Sequence, residues 1–231
     1  MRVDLIIPFY NENQNLKILC EEISKTIPQL NHDYFILFID DGSIDDSCAT
    51  IKKKIKNIRY KIINLPKNCG QTKAFEHAFS LLNSDYFIRM DSDLQDDPSD
   101  LKKFDDIIAK NFDIILGFRG KRKHTLPLKI TTFLFDKIMK FLVLSNLKSS
   151  SGSFICFKSR FFKNLKLKEN DHRYLTIIAQ NKGAKKNITI DINHRSRFYG
   201  KSNYNTFVKI FFGFFEVLRL YKRIKRNFYD Q

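Results

Sequence analysis

The sequence contains no tryptophan and few of the residues that interrupt regular structure. Its 231 residues include only eight glycines and five prolines. Collagen-like, low-complexity and disordered chains are rich in these residues, so the composition excludes those classes. Because 43% of the residues are hydrophobic, the chain can bury a sizeable core. The length fits one large domain or one domain with an elaborated end.

Cysteine is also scarce and shows no pairing pattern. The four cysteines stand at Cys20, Cys48, Cys69 and Cys156, without a C-x-x-C spacing. Disulfide frameworks and zinc sites both need closely spaced or regularly repeated cysteines. We therefore expect reduced thiols in a cytosolic protein.

Long hydrophobic runs are missing as well. No uncharged stretch reaches the ~18–20 residues that a membrane-spanning helix needs. The first ten residues, MRVDLIIPFY, have a short apolar run that Asp4 and Pro8 interrupt. This pattern predicts a first β-strand and not a signal peptide.

Acidic residues are outnumbered, with 25 acids against 41 lysines and arginines and a net charge of +16. Such an excess favours a polyanionic partner: nucleic acid, an anionic membrane or a phosphorylated substrate. The acids are concentrated at residues 40–46 and 91–106, whereas the chain ends in the basic segment YKRIKRNFYDQ. A nucleic-acid-binding protein would not explain the acidic clusters, so we expect no nucleic-acid partner.

The first half alternates between short β-rich runs and helix-like stretches. Strands are predicted at residues 3–10, 34–41, 60–66, 85–91 and 112–118. Helices are predicted near residues 13–27, 44–56, 71–83 and 99–110. This alternation predicts an α/β fold, with a mostly parallel central sheet and helices on both faces.

Two helix starts can be located from capping residues. Ser43 followed by Asp46 resembles a capping box, which predicts that a helix begins at Ser43. Asp97 followed by Pro98 places an N-cap acid before a proline at the first helical position, and Asp100 follows in the first turn.

The second half has fewer predicted strands and a long helical end. Strands at 153–158 and 187–194 flank a helix near 171–181, and residues 205–231 form a basic amphipathic helix. That helix could dock on the core or on a second copy of the chain. We favour a position in a membrane surface, with residues 128–147 as a second contact and with anionic headgroups bound by Lys222, Arg223, Lys225 and Arg226.

Polar residues follow three of the predicted strands. Asp91 and Asp93 come directly after the fourth strand, and Gln95 continues their alternation. In open α/β sheets ligands bind beyond the carboxyl ends of the strands, so these groups should meet Asp40, Asp41 and residues 10–12. Two carboxylates and an amide suit Mg²⁺ or Mn²⁺, whose other ligands would be phosphate oxygens or water.

An ordered set of motifs makes the pattern more specific. It consists of IIPFYNE (6–12), DDGSIDDS (40–47), NCGQTKA (68–74), DSDLQDDP (91–98) and GFR (117–119). This set resembles the family 2 glycosyltransferases, which have the GT-A fold. DSDLQDDP and a later pattern are most similar to the polyprenyl-phosphate branch of that family; the pattern comprises His194, Arg197, Gly200, Ser202 and Tyr204.

The resemblance implies a role for each motif. The nucleotide would be bordered by Pro8, Tyr10, Asn11 and Glu12, and Asp40 and Asp41 would hold its base and ribose. Gly70 would contact the donor, although a tight loop before a helix would also explain it. The metal and diphosphate would bind Asp91, Asp93 and Gln95. Phosphate groups would be faced by Arg119, His194, Arg197 and Ser202, and the catalytic set would be Asp93, Arg119, Arg197 and Asp171.

The resemblance also implies the reaction. An inverting, metal-dependent enzyme would move a sugar from a UDP- or GDP-linked donor to a polyprenyl phosphate at the cytoplasmic face of the membrane. Residues 1–120 would bind the donor and residues 121–204 the acceptor. The alternative is a sugar hydroxyl acceptor, which needs a general base at Glu169 or Asp171; Asp171 also fits a helix cap. Relatives often carry an acid where this chain has Lys148 and three serines.

Overall fold

The computed structural model describes residues 1–120, 152–196 and 206–230. In this part of the chain seven strands form one sheet, in the order β3-β2-β1-β4-β6-β5-β7. The strands are β1 (Arg2–Phe9), β2 (Asp33–Asp40), β3 (Tyr60–Asn64), β4 (Tyr86–Arg89), β5 (Ile114–Arg119), β6 (Ile155–Lys158) and β7 (Asn187–Ile192).

Helices connect the strands at the predicted places. The described α-helices are α1 (Asn13–Thr26), α2 (Ser47–Lys54), α3 (Gln71–Ser80), α4 (Leu101–Ile108), α5 (Leu175–Asn181) and α6 (Thr206–Lys225). Short 3₁₀ turns at Pro98–Asp100 and Asp171–Arg173 precede α4 and α5. The predicted positions of α1 to α5 agree with the structure to within about four residues, whereas α6 ends at Lys225 and not at residue 231.

The sheet is mostly parallel, as expected. β1 pairs in parallel with both β2 and β4, β2 with β3, and β5 with β7. β6 is antiparallel to β4 and β5 and lies between them. Its sequence predicts a strand, but nothing local indicates that it enters the sheet at that position.

Helices cover both faces of the sheet. On one face α1, α2 and α4 pack over Leu5, Ile7 and neighbouring strand residues. On the other face α3, α5 and α6 pack over Ile6, Phe87 and their neighbours. Because successive strand side chains point to opposite faces, both sets of apolar residues are buried, which explains the nearly continuous hydrophobic strands.

The predicted start of α2 is wrong. The helix begins at Ser47, with Asp46 at the N-cap and no side-chain cap bond. The Ser43 hydroxyl accepts a hydrogen bond from the backbone N–H of Asn11 instead, and the Ser43 N–H donates to Asp40. The capping prediction for Asp97 is confirmed, since its carboxylate accepts from the Ser99 N–H.

The described second half of α6 docks on the core. Val217 and Leu220 are fully buried there, as is Tyr229 in the turn after the helix, and all three belong to the same cluster as α3 and α5. Arg223 forms an ion pair with the buried Asp171, so its charge already has a partner inside the protein, and its contact with lipid headgroups stays a prediction. Among the described residues, no helix combines the length and apolarity required to cross a bilayer.

Several predicted features lie outside the described residues. These are Arg197, Gly200, Ser202, Tyr204 and the apolar pattern at 128–147. The four cysteines are all described, and all four are free thiols, as expected.

Gly42 gives a direct test of the loop that follows β2. Its φ is +79°, and an added Cβ would lie 2.5 Å from the carbonyl carbon of Lys67. Gly42→Ala should therefore lower the free energy of unfolding by about 2 kcal/mol or more, measured by urea denaturation. Gly120→Ala is the control, because no described residue lies within 4 Å of its added Cβ. Equal stability of the two variants would contradict the described loop.

Candidate active site at the strand ends

The carboxyl ends of β1, β2 and β4 meet at one edge of the sheet. Phe9 at the end of β1 is level with Asp40 of β2, and Ile6 is level with Arg89 of β4. A cavity of ≈ 150 Å³ opens just beyond these ends, lined by Pro8, Tyr10, Glu12, Asp41 and Ser92 together with Gln71 and Ala74 of α3. The structure thus gathers residues from four motifs that are far apart in the sequence.

The two acids at the end of β2 shape the loops around this cavity. Asp41 accepts hydrogen bonds from the backbone N–H groups of Cys69 and Gly70, at 2.7 and 2.8 Å. Asp40 accepts from the Ser43 N–H at 2.8 Å and from the Cys48 thiol. Gly70 has a φ of +82°, which favours glycine. Gly70 therefore does form the tight loop before α3, and its contact with a donor stays a prediction.

The loop after β1 is joined to the loop after β2. The side-chain oxygen of Asn11 accepts a hydrogen bond from the Ile44 N–H, and the Glu12 N–H donates to the Ser47 hydroxyl at 3.0 Å. The Glu12 carboxylate also bonds the side chain of Asn15. These bonds fix the rim of the cavity before any ligand is present.

Asp91 and Asp93 lie directly after β4. Asp91 is 25% exposed and lies 3.5 Å from the guanidinium of Arg89. Its Oδ1 atom is buried and has no hydrogen-bond partner. Asp93 Oδ1 accepts from the Gln95 N–H at 3.1 Å, which closes a turn around Leu94, a residue with a φ of +64°.

These two carboxylates suit a divalent cation only if the cation has other ligands. Among the described residues, no group of three or more His, Cys, Asp or Glu side chains could hold a metal ion alone. Mg²⁺ usually binds one or two carboxylates and completes its shell with substrate phosphates and water. The unpartnered Oδ1 of Asp91 fits such a shared site.

Asp96 is the centre of a cluster that the sequence did not reveal. It is completely buried. Its carboxylate accepts hydrogen bonds from the guanidinium of Arg119 at 2.7 Å and from the hydroxyl of Ser153 at 3.1 Å. Burial raises the pKa of Asp96, and the charge of Arg119 opposes that rise. Arg119, expected to face a phosphate, is thus held beside the acidic loop, with 13% of its side chain exposed.

A short backbone pairing brings His194 to the same place. Asp96 and His194 form an antiparallel bridge, and the Arg195 N–H donates to the Gln95 carbonyl at 3.1 Å. The Arg195 side chain binds Asp97 and Glu22, both at 2.8 Å. The acidic loop and the segment that leads to Arg197 are therefore adjacent.

Asp171 is not presented to the cavity at the strand ends. It is fully buried, and its carboxylate accepts from the Lys168 N–H, the Tyr229 hydroxyl and Arg223. Burial raises the pKa of Asp171. These contacts contradict a general base at Asp171 and assign it to the anchoring of α6.

His172, the next residue, does lie beside the site. Its Nδ1 is 2.8 Å from the hydroxyl of Thr72 on α3, and its carbonyl accepts from Arg89 at 2.6 Å. Burial, together with the nearby charges of Arg89 and Arg173, lowers the pKa of His172 to about 3. Its imidazole is therefore neutral at physiological pH.

Sequence reasoning missed Arg89, Asp96, His172 and Arg195. One of these had a usable signal: Arg89 is the only charged residue within the β4 run YFIR, and a charge inside a buried strand needs a partner. Asp96, His172 and Arg195 depend on long-range contacts, and no local pattern in the sequence indicates them.

Solved structures share this fold. The glucosyl-3-phosphoglycerate synthase of Mycobacterium tuberculosis, crystallised with Mg²⁺ and uridine diphosphate, superposes with a TM-score of 0.64 at 12% identity, covering 87% of this chain and 72% of that one. A second crystal structure of that enzyme, with Mn²⁺, UDP-glucose and glycerol 3-phosphate, gives a TM-score of 0.62 at 14% identity and covers 85% of this chain and 73% of that one.

Relatives are also found by sequence. The undecaprenyl-phosphate 4-deoxy-4-formamido-L-arabinose transferase of Photorhabdus laumondii is 28% identical over 214 residues, or 90% of this chain and 64% of the relative. The dodecaprenyl-phosphate galacturonate synthase of Rhizobium johnstonii is 24% identical, covering 88% of this chain and 62% of the relative. The chain thus spans less than two thirds of the length of these relatives.

The family comparison covers most of the chain. The description Glycosyl transferase family 2 matches residues 4–170, which include β1 to β6 and the strand-end cavity. With the parallel sheet and the acidic loop after β4, this match shows that the chain belongs to glycosyl transferase family 2.

Proposed function

We propose that the protein transfers a sugar from a nucleotide-linked donor to the phosphate of a polyprenyl lipid, with Mg²⁺ or Mn²⁺ bound at Asp91 and Asp93. The observation that carries this proposal is the strand-end cavity, where Asp41 and Ser92 of two different strand ends line one space. Two of the relatives are named for transfer to undecaprenyl and dodecaprenyl phosphates, which supports the lipid acceptor.

The donor diphosphate would lie beyond the end of β4. A divalent cation held by Asp91 and Asp93 would stabilise the charge that develops on the leaving nucleoside diphosphate. Gln95 follows on the same loop as a neutral ligand, and Pro8, Tyr10, Asn11 and Glu12 would border the nucleotide. Asp40 and Asp41 would act mainly by fixing the loops that contact its base and ribose.

The acceptor would meet the basic groups on the other side of the acidic loop. Arg119 is fixed there by Asp96, and its guanidinium can donate two hydrogen bonds to a phosphate. His194 lies opposite Asp96, and Arg197 and Ser202 follow it in the sequence. A phosphate acceptor is already ionised at neutral pH, so its attack needs no strong general base.

The end of α6 would bring the enzyme to the inner face of the membrane. Lys222, Lys225 and Arg226 are exposed, and Phe215 is 45% exposed. Each basic residue near an anionic surface contributes about 1 kcal/mol to binding. Since the buried face of α6 is docked on the core, only its outer side would touch lipid.

Asp93→Asn tests the metal role. The variant should keep its fold but lose at least about 100-fold in turnover, because one charged ligand of the diphosphate site is gone. Turnover would be measured as transfer from UDP- and GDP-sugars to a short polyprenyl phosphate with Mg²⁺ or Mn²⁺. Asp106→Asn is the matched control, since Asp106 is exposed on α4. Full turnover by Asp93→Asn would remove the metal role.

Glu169 distinguishes the two acceptors, and Asp171 tests the anchoring of α6. With a phosphate acceptor, Glu169→Gln should change turnover less than about tenfold, whereas loss of a required base costs about 100-fold or more. Asp171→Asn should lower the free energy of unfolding by about 2 kcal/mol or more, because Arg223 loses its buried partner. Chemical denaturation and initial rates measure both effects. A large rate loss in Glu169→Gln at unchanged stability would favour a sugar hydroxyl acceptor.

A further inference from the structure

Arg89 places a permanent positive charge inside the sheet, next to the carboxylates after β4. It is only 6% exposed, and its guanidinium lies 3.5 Å from Asp91. An arginine does not lose its proton in a protein, so this charge is present at every physiological pH. Phe87, two residues earlier on the same face of β4, is fully buried in an apolar cluster.

The guanidinium is held from several directions. It donates to the His172 carbonyl at 2.6 Å and lies over the ring of Phe75 at 4.8 Å. His172 is in turn bonded to Thr72 on α3, and the neighbouring Asp171 is anchored by Arg223 of α6. Arg89 therefore cannot swing away from Asp91 without disturbing α3 and the 170–173 turn.

The contact between Arg89 and Asp91 is incomplete. Arg89 Nε and Asp91 Oδ1 are both buried, and neither has a hydrogen-bond partner. A structural ion pair would normally satisfy these atoms, because an unpaired buried polar atom costs about 1–3 kcal/mol. The oxygen that Arg89 faces at 3.5 Å is thus also the one that lacks a hydrogen bond, so its capacity to accept one is not used by the described residues.

We propose that Arg89 is a positioning residue that weakens the binding of free divalent cations at Asp91 and Asp93. A cation that arrives together with the donor diphosphate would still bind there. A guanidinium beside Asp91 repels a dication, and the effect is strong because the pair is largely removed from water. The negative charges of a diphosphate offset this repulsion. Metal and nucleotide then bind with strong positive coupling. This inference rests on the metal role given to Asp91 and Asp93 in the proposed function.

Mn²⁺ titration followed by electron paramagnetic resonance tests the inference directly. Wild-type protein, Arg89→Gln and Arg89→Lys would be titrated alone and with saturating UDP or GDP. Arg89→Gln keeps a donor for the His172 carbonyl and removes the charge, whereas Arg89→Lys keeps the charge. Lys102→Met is the control for a lost surface charge, since Lys102 is exposed on α4.

The expected result is a gain of affinity. Arg89→Gln should bind Mn²⁺ without nucleotide at least about tenfold more tightly than wild type, and the enhancement by nucleotide should shrink by the same factor. Arg89→Lys and Lys102→Met should stay close to wild type. A residue with a merely structural role would give weaker binding when replaced, never tighter binding.

Two outcomes would overturn the inference in distinguishable ways. If wild type binds Mn²⁺ with nucleotide and Arg89→Gln binds free Mn²⁺ equally or more weakly, Arg89 does not exclude the free metal, although the proposed function stands. If wild type binds no Mn²⁺ with either nucleotide, the proposed function fails and the inference fails with it. If Arg89→Gln does not fold, Arg89→Met takes its place, and its Mn²⁺ affinities with and without nucleotide are judged by the same two criteria.

Discussion

Parallel pairing of β1 with both β2 and β4 is the constraint on which the site depends. It places three carboxyl strand ends side by side, so that residues more than 80 positions apart in the sequence line one cavity. Any other partner for β1 would separate Tyr10, Asp41 and Ser92. Both faces of β1 are buried under helices, which places this strand in the interior of the layered core.

The acidic residues that this pairing collects need positive partners, and arginines supply them. Within the described residues, Asp91 is paired with Arg89, Asp96 with Arg119 and Asp97 with Arg195. The three arginines come from three different strands or strand ends. These three pairs neutralise acids of the candidate site but leave the net charge of +16 unchanged, so that excess is carried by other residues.

The α/β alternation and the approximate bounds of most helices could be predicted from the sequence, because both depend on local periodicity. The edge of the sheet that carries the candidate site was predicted from the polar residues that follow the strands. The start of α2 could not be predicted, since Ser43 bonds the neighbouring loop at Asn11 and not its own helix. The antiparallel position of β6, the burial of Asp96 and the inward turn of Arg223 depend on contacts between distant segments. The role of Asp171 could not be predicted from its position in the sequence. Its carboxylate binds Arg223 and Tyr229 and so anchors the end of α6.

The central claim is that a divalent cation and a nucleoside diphosphate share the carboxylates after β4. The most direct measurement is a crystal structure of the protein grown with Mn²⁺ and UDP or GDP, with anomalous diffraction recorded for manganese. Our account predicts one anomalous peak bound by Asp91, Asp93 or both and by diphosphate oxygens, with the base over the loops that follow β1 and β2. A nucleotide bound at another edge of the sheet, or a manganese peak remote from both carboxylates, would contradict it.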